Sequence, residues 1–582
     1  MYKKSKKNSN RHANTLPLNP EEEHQQPHYL DLNRREFISG VGRVTGIAIT
    51  AGVVGTSSLM TMRPNDAEAS SELEPKSNNS KGFVGGQNRQ VSSFEIRKNA
   101  ALDEKKRSVI SHETNGDEDK YPSRIGNFSK TLPHDPITGE VDPDSYNALL
   151  HALNTAKFED FENIPAGGEA KFSNPCGGFV YNMEGPDNAA IKVNPPPALA
   201  SPEFAAQLAE LYWMACLRDV PFSEFSSHPL ALAAQNDLSK FSGYTGPSDQ
   251  GFISSQDIFR TSYHGVQTGP MISQLLYQPF KYDGISIDPM IDNPTQEEFV
   301  TDFATWVNVQ NGNGGPGGIP TDGTKVYPRT VRDLGKIAGS DTIISVYFRA
   351  IKILGAPGLT DAANPYNNSA RQSPFATFGL AHLVELIGKL ARGERYAWWQ
   401  KWNVHRFLRP EAAGGRVHRI KTDGADYPIH DDLIMRSSVL DHIHDKFGSY
   451  LLPQMFRNGS PSHPSFTAGH AIMAGACVTM MKAWFDEDAI WPFDPVEATP
   501  DGQALVPYVG ETLTVGGELN KLAHNLSFGR DMSGVHWRAD NIEGNRQGEE
   551  LAIRLLREEK VTYAEYFDGF TLTKFDGETI RI

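Results

Sequence analysis

Cysteine is scarce: the 582 residues hold three, Cys176, Cys216 and Cys477, far apart in the chain. That excludes a disulfide framework and any zinc-ligand spacing; one bridge at most is possible, and free core thiols are the simpler expectation. An excess of basic residues is lacking too. The formal net charge is −15 and no basic stripe stands ready for phosphates, so nucleic acid is not an expected partner. Past residue 69 there is no run of 18 uninterrupted apolar residues, and no stable membrane insertion is expected of the mature chain. Missing as well are a glycine-rich nucleotide loop, a Ser or Cys nucleophile set beside a base, and an internal repeat.

What is present is a mostly globular composition, 38% hydrophobic and 22% charged, with 52 glycines and 38 prolines pointing to many loops. The first 69 residues read as an export signal. A basic start (Lys3, Lys4, Lys6, Lys7) leads to Arg34 and Arg35 followed by Glu36, Phe37 and Ile38, which has the look of a twin-arginine signal. A weakly apolar run from Val44 to Met62 follows, then Ala67, Glu68 and Ala69 as a small-residue cleavage site. The expected address is periplasmic or extracellular. Residues 70–115, rich in Ser, Asn, Lys and Glu, read as a flexible or loosely docked arm, and 116–582 as one catalytic domain.

Within that domain helical patterns dominate. "SPEFAAQLAELYWMACLRDV" offers Ser201 as a cap, Glu203 in the first turn and apolar residues at helical spacing. "SDTIISVYFRAIKIL", "FATFGLAHLVELIGKLARG", "SFTAGHAIMAGACVTMMKAWF", "LNKLAHNLSFGRDMSGVHWRAD" and "NIEGNRQGEELAIRLLREEK" are further candidates. Strand alternation is confined to the terminal "FDGFTLTKFDGETIRI", a possible hairpin. The expected class is mainly α with long loops and a minor β-hairpin.

Three clusters carry chemistry. In "WWQKWNVHRFLRPEAAGG", Lys401 and Arg409 are eight positions apart, near one helical face until Pro410 intervenes. Such a pair is usually a solvated surface, but Trp398, Trp399 and Trp402 make this an unusually aromatic setting for two cations. In "GSPSHPSFTAGHA", His463 and His470 lie seven apart where a loop becomes a helix. Gly469 there permits close backbone approach, and a helix start offers free N–H groups to an anion. In "LSFGRDMSGVHWRAD", Arg530, His536 and Asp540 are spaced by six and four, so the carboxylate can orient the imidazole if both are helical. Taken singly, the second cluster is a helix-start loop with incidental histidines and the third an i, i+4 ion pair. Together they are an inventory for a tetrahedral oxyanion: guanidinium forks, an ammonium, a Gly N–H and imidazoles.

This order of motifs resembles the shared site of the vanadium haloperoxidases and the related acid phosphatases. Seven residues separate Lys401 from Arg409, and the second motif is stretched to "PSFTAGH"; both features are similar to the bromoperoxidase branch rather than the phosphatases. "IGNFSKTLPHDPITGEV", "YWMACLRDVPF" and "RPEAAGGRVHRI" extend the resemblance to algal and cyanobacterial bromoperoxidases from about Tyr121 onward. The resemblance implies a core of two four-helix bundles, vanadate as cofactor, hydrogen peroxide and halide (bromide, iodide) as substrates, small organic acceptors, and a homodimer or larger assembly. It implies that His536 bonds the metal and that Lys401, Arg409, Arg530 and the Gly469 N–H hold the oxyanion. It casts His470 as the proton-transfer group, His463 as the extra bromoperoxidase histidine and Trp398 as a neighbour of the halide. Asp341 is a candidate to orient His470, and a structural calcium is left open. One departure is Ala468, where many family members have Ser; one lost charge-assisted hydrogen bond is worth ~1.5–3 kcal/mol. An exported acid phosphatase with His536 as nucleophile and His470 as general acid is the alternative, and a non-catalytic oxyanion-binding protein a third reading.

Overall fold

In the computed structural model, residues 86–340 and 343–582 are described, with side chains from 89 onward. The export signal over 1–69, the first part of the arm and Asp341 lie outside the described residues. The remainder of the arm departs from expectation: Gly86–Lys106 forms a helix (α1), largely exposed and closed by Lys105 and Lys106, whose charge suits a helix C-terminus. Its polar composition hid it, because a helix with no apolar stripe gives no periodic signal. Arg554 reaches Glu104 at 3.5 Å, a tie to the main body.

The helices that frame the interior start as their sequences dictate. Asp142 caps α2 (Pro143–Thr155), accepting the Ser145 N–H at 2.8 Å. Ser201 caps α3 (Pro202–Cys216), its hydroxyl accepting the Phe204 N–H at 3.1 Å, with Pro202 in the first turn, where no N–H is missed. The stretch Phe204–Ala215 of α3 is buried on all faces, so it is a central rather than a surface helix. After it come α4 (Val331–Ser340), α5 (Ser345–Gly355), α6 (Leu380–Leu390) and α7 (Gly393–Trp399). The C-terminal part supplies α8 (Pro410–Asp423), α9 (Val439–Phe447), α10 (Gly469–Lys482), α11 (Val515–Met532) and α12 (Arg538–Lys560).

The helical-bundle fold expected from the sequence is present. One bundle gathers α6, α7, α10, α11 and α12, and α3 and α4 also pack against α11. Its tightest seam is α10 against α12. A Cβ on Gly475 would lie 2.7 Å from the Asn545 carbonyl carbon, and one on Gly548 2.7 Å from the Ala476 amide nitrogen. Only glycine permits backbones so close, and that approach locks the start of α10 beside the start of α12. The terminal hairpin forms as expected, Thr571–Thr573 against Thr579–Arg581 in antiparallel register. Among the described residues three other two-stranded antiparallel sheets, with strands of three to six residues, decorate the loops.

None of the three cysteines is in a disulfide; Cys477 is buried and the others are partly so. Among the described residues no helix is long and apolar enough to cross a membrane.

Candidate functional site

The three sequence clusters meet at one place, built where helix ends converge. α7 runs into a π-helical turn, Gln400–His405, ended by Arg406 in the left-handed conformation at φ 39°. The wider turn re-aims Lys401 inward, a common use of π turns at functional sites. Arg409 is not on the same helix: it stands in extended backbone just before α8, with Pro410 as the first helical residue. The two cations are therefore joined by a turn and a short loop, and the single-face reading is corrected; Arg406 breaks the helix that reading required.

Lys401 is fully buried, and its ammonium donates to the carbonyls of Ser465, at 2.6 Å, and Thr467. Arg409, also buried, fans its fork over four acceptors. Nε donates to His463 O at 2.9 Å, Nη1 to Val535 O at 2.7 Å and to His536 Nε2 at 3.0 Å, and Nη2 lies 2.9 Å from His463 Nδ1. Arg530 occupies the last turn of α11, its guanidinium 5.4 Å over the Phe456 ring, with Nε buried and unpaired. None of the three forms a salt bridge among the described residues. Burial pushes the Arg409 guanidinium down to about 9, with Asp540 opposing, and Arg530 down to about 10; both stay charged at neutral pH. Burial, then Arg409, drives Lys401 well below the ordinary lysine range, opposed by Asp540 and Glu394. Three concentrated buried cations without carboxylate partners call for an anion.

His536 sits in the turn between α11 and α12, not inside a helix as its spacing to Asp540 suggested. Asp540 is the third residue of α12, and its Oδ2 accepts the His536 Nδ1–H at 2.7 Å, the Trp537 N–H at 3.1 Å and the Ser465 hydroxyl. The pairing survives because a carboxylate at this position reaches back over the helix start. With Nδ1 committed as donor, Nε2 is left with its lone pair directed at the cation cluster, where Arg409 meets it. Burial, reinforced by Arg409 and Lys401, holds His536 neutral, well below its usual range. Asp540 is pushed up to about 6 by burial, offset chiefly by the Ser465 hydrogen bond.

Gly469 is the first residue of α10 and His470 the second. Ala468, the residue before, offers no side-chain cap, though its own N–H bonds Asp540 O at 3.1 Å and so ties the two helix starts together. His470 is held by the Ala338 carbonyl at the end of α4, and its buried Nε2 has no partner. Burial and Arg530 push it down to about 3. His463 lies against Trp398, ring centroids 4.8 Å apart, and burial followed by Arg409 holds it neutral. Trp398 donates its indole N–H to Ser173 O at 3.0 Å and turns its ring toward Lys401, 5.9 Å away. Every site residue expected from the sequence and placed by the structure is thus in this cluster. Missed were Ser465, which braces Asp540, and Glu394 of α7, which faces Gly469. Neither stands out in sequence, since a loop Ser and a helical Glu are ordinary residues.

The residues fit a vanadate ion: an oriented imidazole nitrogen, three buried cations without a carboxylate salt bridge among the described residues, and a helix start. Among the described residues no group of three or more His, Cys, Asp or Glu could hold a metal ion, which leaves the calcium question without a candidate.

Comparison with known proteins agrees with this geometry. Residues 396–563, which hold every one of Trp398, Lys401, Arg409, His463, Gly469, His470, Arg530 and His536, match the model of the VCPO second helical-bundle domain. The chain is 36% identical over 481 residues to a vanadium-dependent bromoperoxidase of Ascophyllum nodosum, spanning 78% of this chain and 86% of that one. It is 32% identical over 594 residues to a vanadium-dependent bromoperoxidase of Corallina officinalis, spanning 85% and 99%. Its structure superposes on the homohexameric second vanadate-dependent bromoperoxidase of Ascophyllum nodosum with a TM-score of 0.81 at 32% identity, covering 89% of this chain and 94% of that one.

Proposed function

This chain belongs to the vanadium-dependent bromoperoxidases, and from that premise we propose that it oxidises bromide and iodide with hydrogen peroxide, using vanadate held at His536. The observation that carries the reading is His536 Nε2, turned by Asp540 into a nest of buried cations, where its lone pair meets Arg409. Bound vanadate supplies an electrophilic centre that activates hydrogen peroxide toward two-electron reduction.

The chain's own residues do the rest. Lys401, Arg409 and Arg530, with the Gly469 N–H, hold the oxyanion's charge in a water-poor setting, where fixed cations act strongly. His470, with Nε2 free toward the site, holds and moves the proton that the peroxide oxygen must gain or lose. A bound anion offsets the repulsion from Arg530 and Lys401 and raises the His470 pKa toward neutrality. In the overall reaction halide gives an electron pair to one peroxide oxygen and the O–O bond breaks. That oxygen leaves in hypohalous acid and the other, protonated, leaves as water. Trp398 and His463 form an aromatic wall beside Lys401 where halide can approach. Small organic acceptors are halogenated by the hypohalous acid.

Two further elements belong to this proposal: export through the twin-arginine segment at Arg34 and Arg35, and assembly into a homo-oligomer, which the homohexameric relative supports. Bromination of a phenolic dye is the test, run on the vanadate-free protein, then with orthovanadate, then with phosphate as competitor. Activity is expected only with vanadate and is expected to fall in excess phosphate. Phosphomonoester hydrolysis without any bromination would establish the phosphatase reading instead.

A further inference from the structure

One polar side chain at the pocket has no task in the reading above. Glu394 is the second residue of α7, and its carboxyl lies against Gly469 at the start of α10. A Cβ built on Gly469 would collide with both carboxyl oxygens and sit 2.8 Å from their carbon. The side chain is half-buried and makes no hydrogen bond or salt bridge among the described residues, while its charge is felt by Lys401. The residue before Gly469 is Ala468, a helix start without a side-chain donor.

We propose that Glu394 takes the place of that missing hydroxyl, donating a carboxylic O–H to the oxyanion seated at the start of α10; the inference rests on the oxyanion site described above. Three physical points support it. The carboxyl reaches the same helix start from α7 that a side chain at 468 would reach from α10. Facing it is Lys401, whose charge acts on the carboxyl, and next to Gly469 in the chain stands His470. A negative oxyanion placed among them makes a second negative charge on Glu394 unfavourable, so the carboxyl keeps its proton and presents a donor. Burial already moves it that way, up to about 7, with Lys401 opposing. Gly469 itself leaves room for this, since any side chain there would displace Glu394.

Equilibrium binding of orthovanadate, followed by calorimetry on purified full-length protein, tests it independently of turnover. Glu394→Ala removes the donor and should weaken binding tenfold or more, the scale of one charge-assisted hydrogen bond. Glu394→Gln keeps an N–H donor and should stay within about threefold of wild type. Adding Ala468→Ser to Glu394→Ala should restore most of the loss, whereas Ala468→Ser alone should gain less than about threefold because the donor is already supplied. Binding by Glu394→Ala as tight as wild type, or tighter, overturns the inference and makes Glu394 a repelling carboxylate. So does a tenfold gain from Ala468→Ser alone, a variant that leaves α7 untouched. A wild-type protein that binds no vanadate overturns the oxyanion site itself, and this inference with it.

Discussion

Replacing Arg409 by Lys separates the geometry of the site from its charge. The guanidinium is 1% exposed and serves two backbone carbonyls, the buried Val535 O and the part-buried His463 O, besides the two imidazoles. An ammonium keeps the positive charge but concentrates its donors at one point, so it cannot span both carbonyls and His536 together. A buried polar group left unpaired costs about 1–3 kcal/mol, so two orphaned carbonyls cost about 4 kcal/mol at the middle of that range. Unfolding entropy of about 2.1 cal/mol/K per residue over roughly 500 folded residues is on the order of 1 kcal/mol/K, so Tm should fall by about 4 °C. Losing the bidentate grip on the oxyanion should separately weaken vanadate binding by about tenfold or more. Calorimetric melting of the vanadate-free variant reads the first effect and a vanadate titration the second. A melt within about 1 °C of wild type, with binding unchanged, would refute the claim that the fork both braces the loops and grips the anion.

His536→Ala removes the imidazole nitrogen that Asp540 turns toward the cation cluster, yet keeps the cations. Its preference for orthovanadate over phosphate in competition binding should collapse, while phosphate binding stays within about tenfold; a retained vanadate preference would remove His536 from the metal role. His405 packs edge-on against Phe466 with both ring nitrogens unpartnered, and burial, aided by His112 and Arg406, pushes it down to about 3. The unfolded chain takes up this proton below about 6.5 and the folded one does not, so the His405 contribution falls by about 1.4 kcal/mol per pH unit from there toward 3. His405→Phe abolishes that loss, so the stability gap between variant and wild type should widen by about 2–3 kcal/mol between pH 7 and pH 4.5 in denaturant titrations; a gap independent of pH would show that the imidazole is solvated. Paired Arg34→Lys and Arg35→Lys changes should retain the protein in the cytoplasm on fractionation, and unimpaired export would discard the twin-arginine assignment.

Much of the site was legible in the sequence because its chemistry is carried by residue types at fixed spacings. Lys401, Arg409, His470, Arg530 and His536 are few, chemically distinctive and clustered in three short segments. Helix starts were legible where a cap announces them, as Ser201 does for α3. The spatial relations inside the segments were less so. A spacing of eight puts Lys401 and Arg409 near one helical face, yet a π turn and the left-handed Arg406 lie between them. His536 and Asp540 were paired as one helical turn, yet the bond crosses the N-terminus of α12. In both cases the partner was right and the path wrong, because a spacing of four or eight is satisfied by more than one backbone. α1 was unreadable for a different reason: with no apolar stripe to bury, nothing in its sequence separates it from a loose arm.

Ser465 and Glu394 show why no motif would have completed the picture. Their roles depend on which helix ends arrive beside them, and that is decided far from the site, at Gly475 and Gly548, where two backbones pass close enough to fix the start of α10 against the start of α12. The seam holds Ala468 N–H on Asp540 O, and Asp540 in turn holds His536 and Ser465. Three buried cations facing one another are costly in the empty protein, and the chain offsets little of that cost with carboxylates: Asp540 is largely engaged by its own donors, and Glu394 pairs with none of them. A protein selected only for stability would replace such a cluster with apolar packing. Its retention at the meeting point of several helix ends makes sense if the missing charge arrives with the ligand, so the same arrangement that weakens the empty fold is what grips the oxyanion.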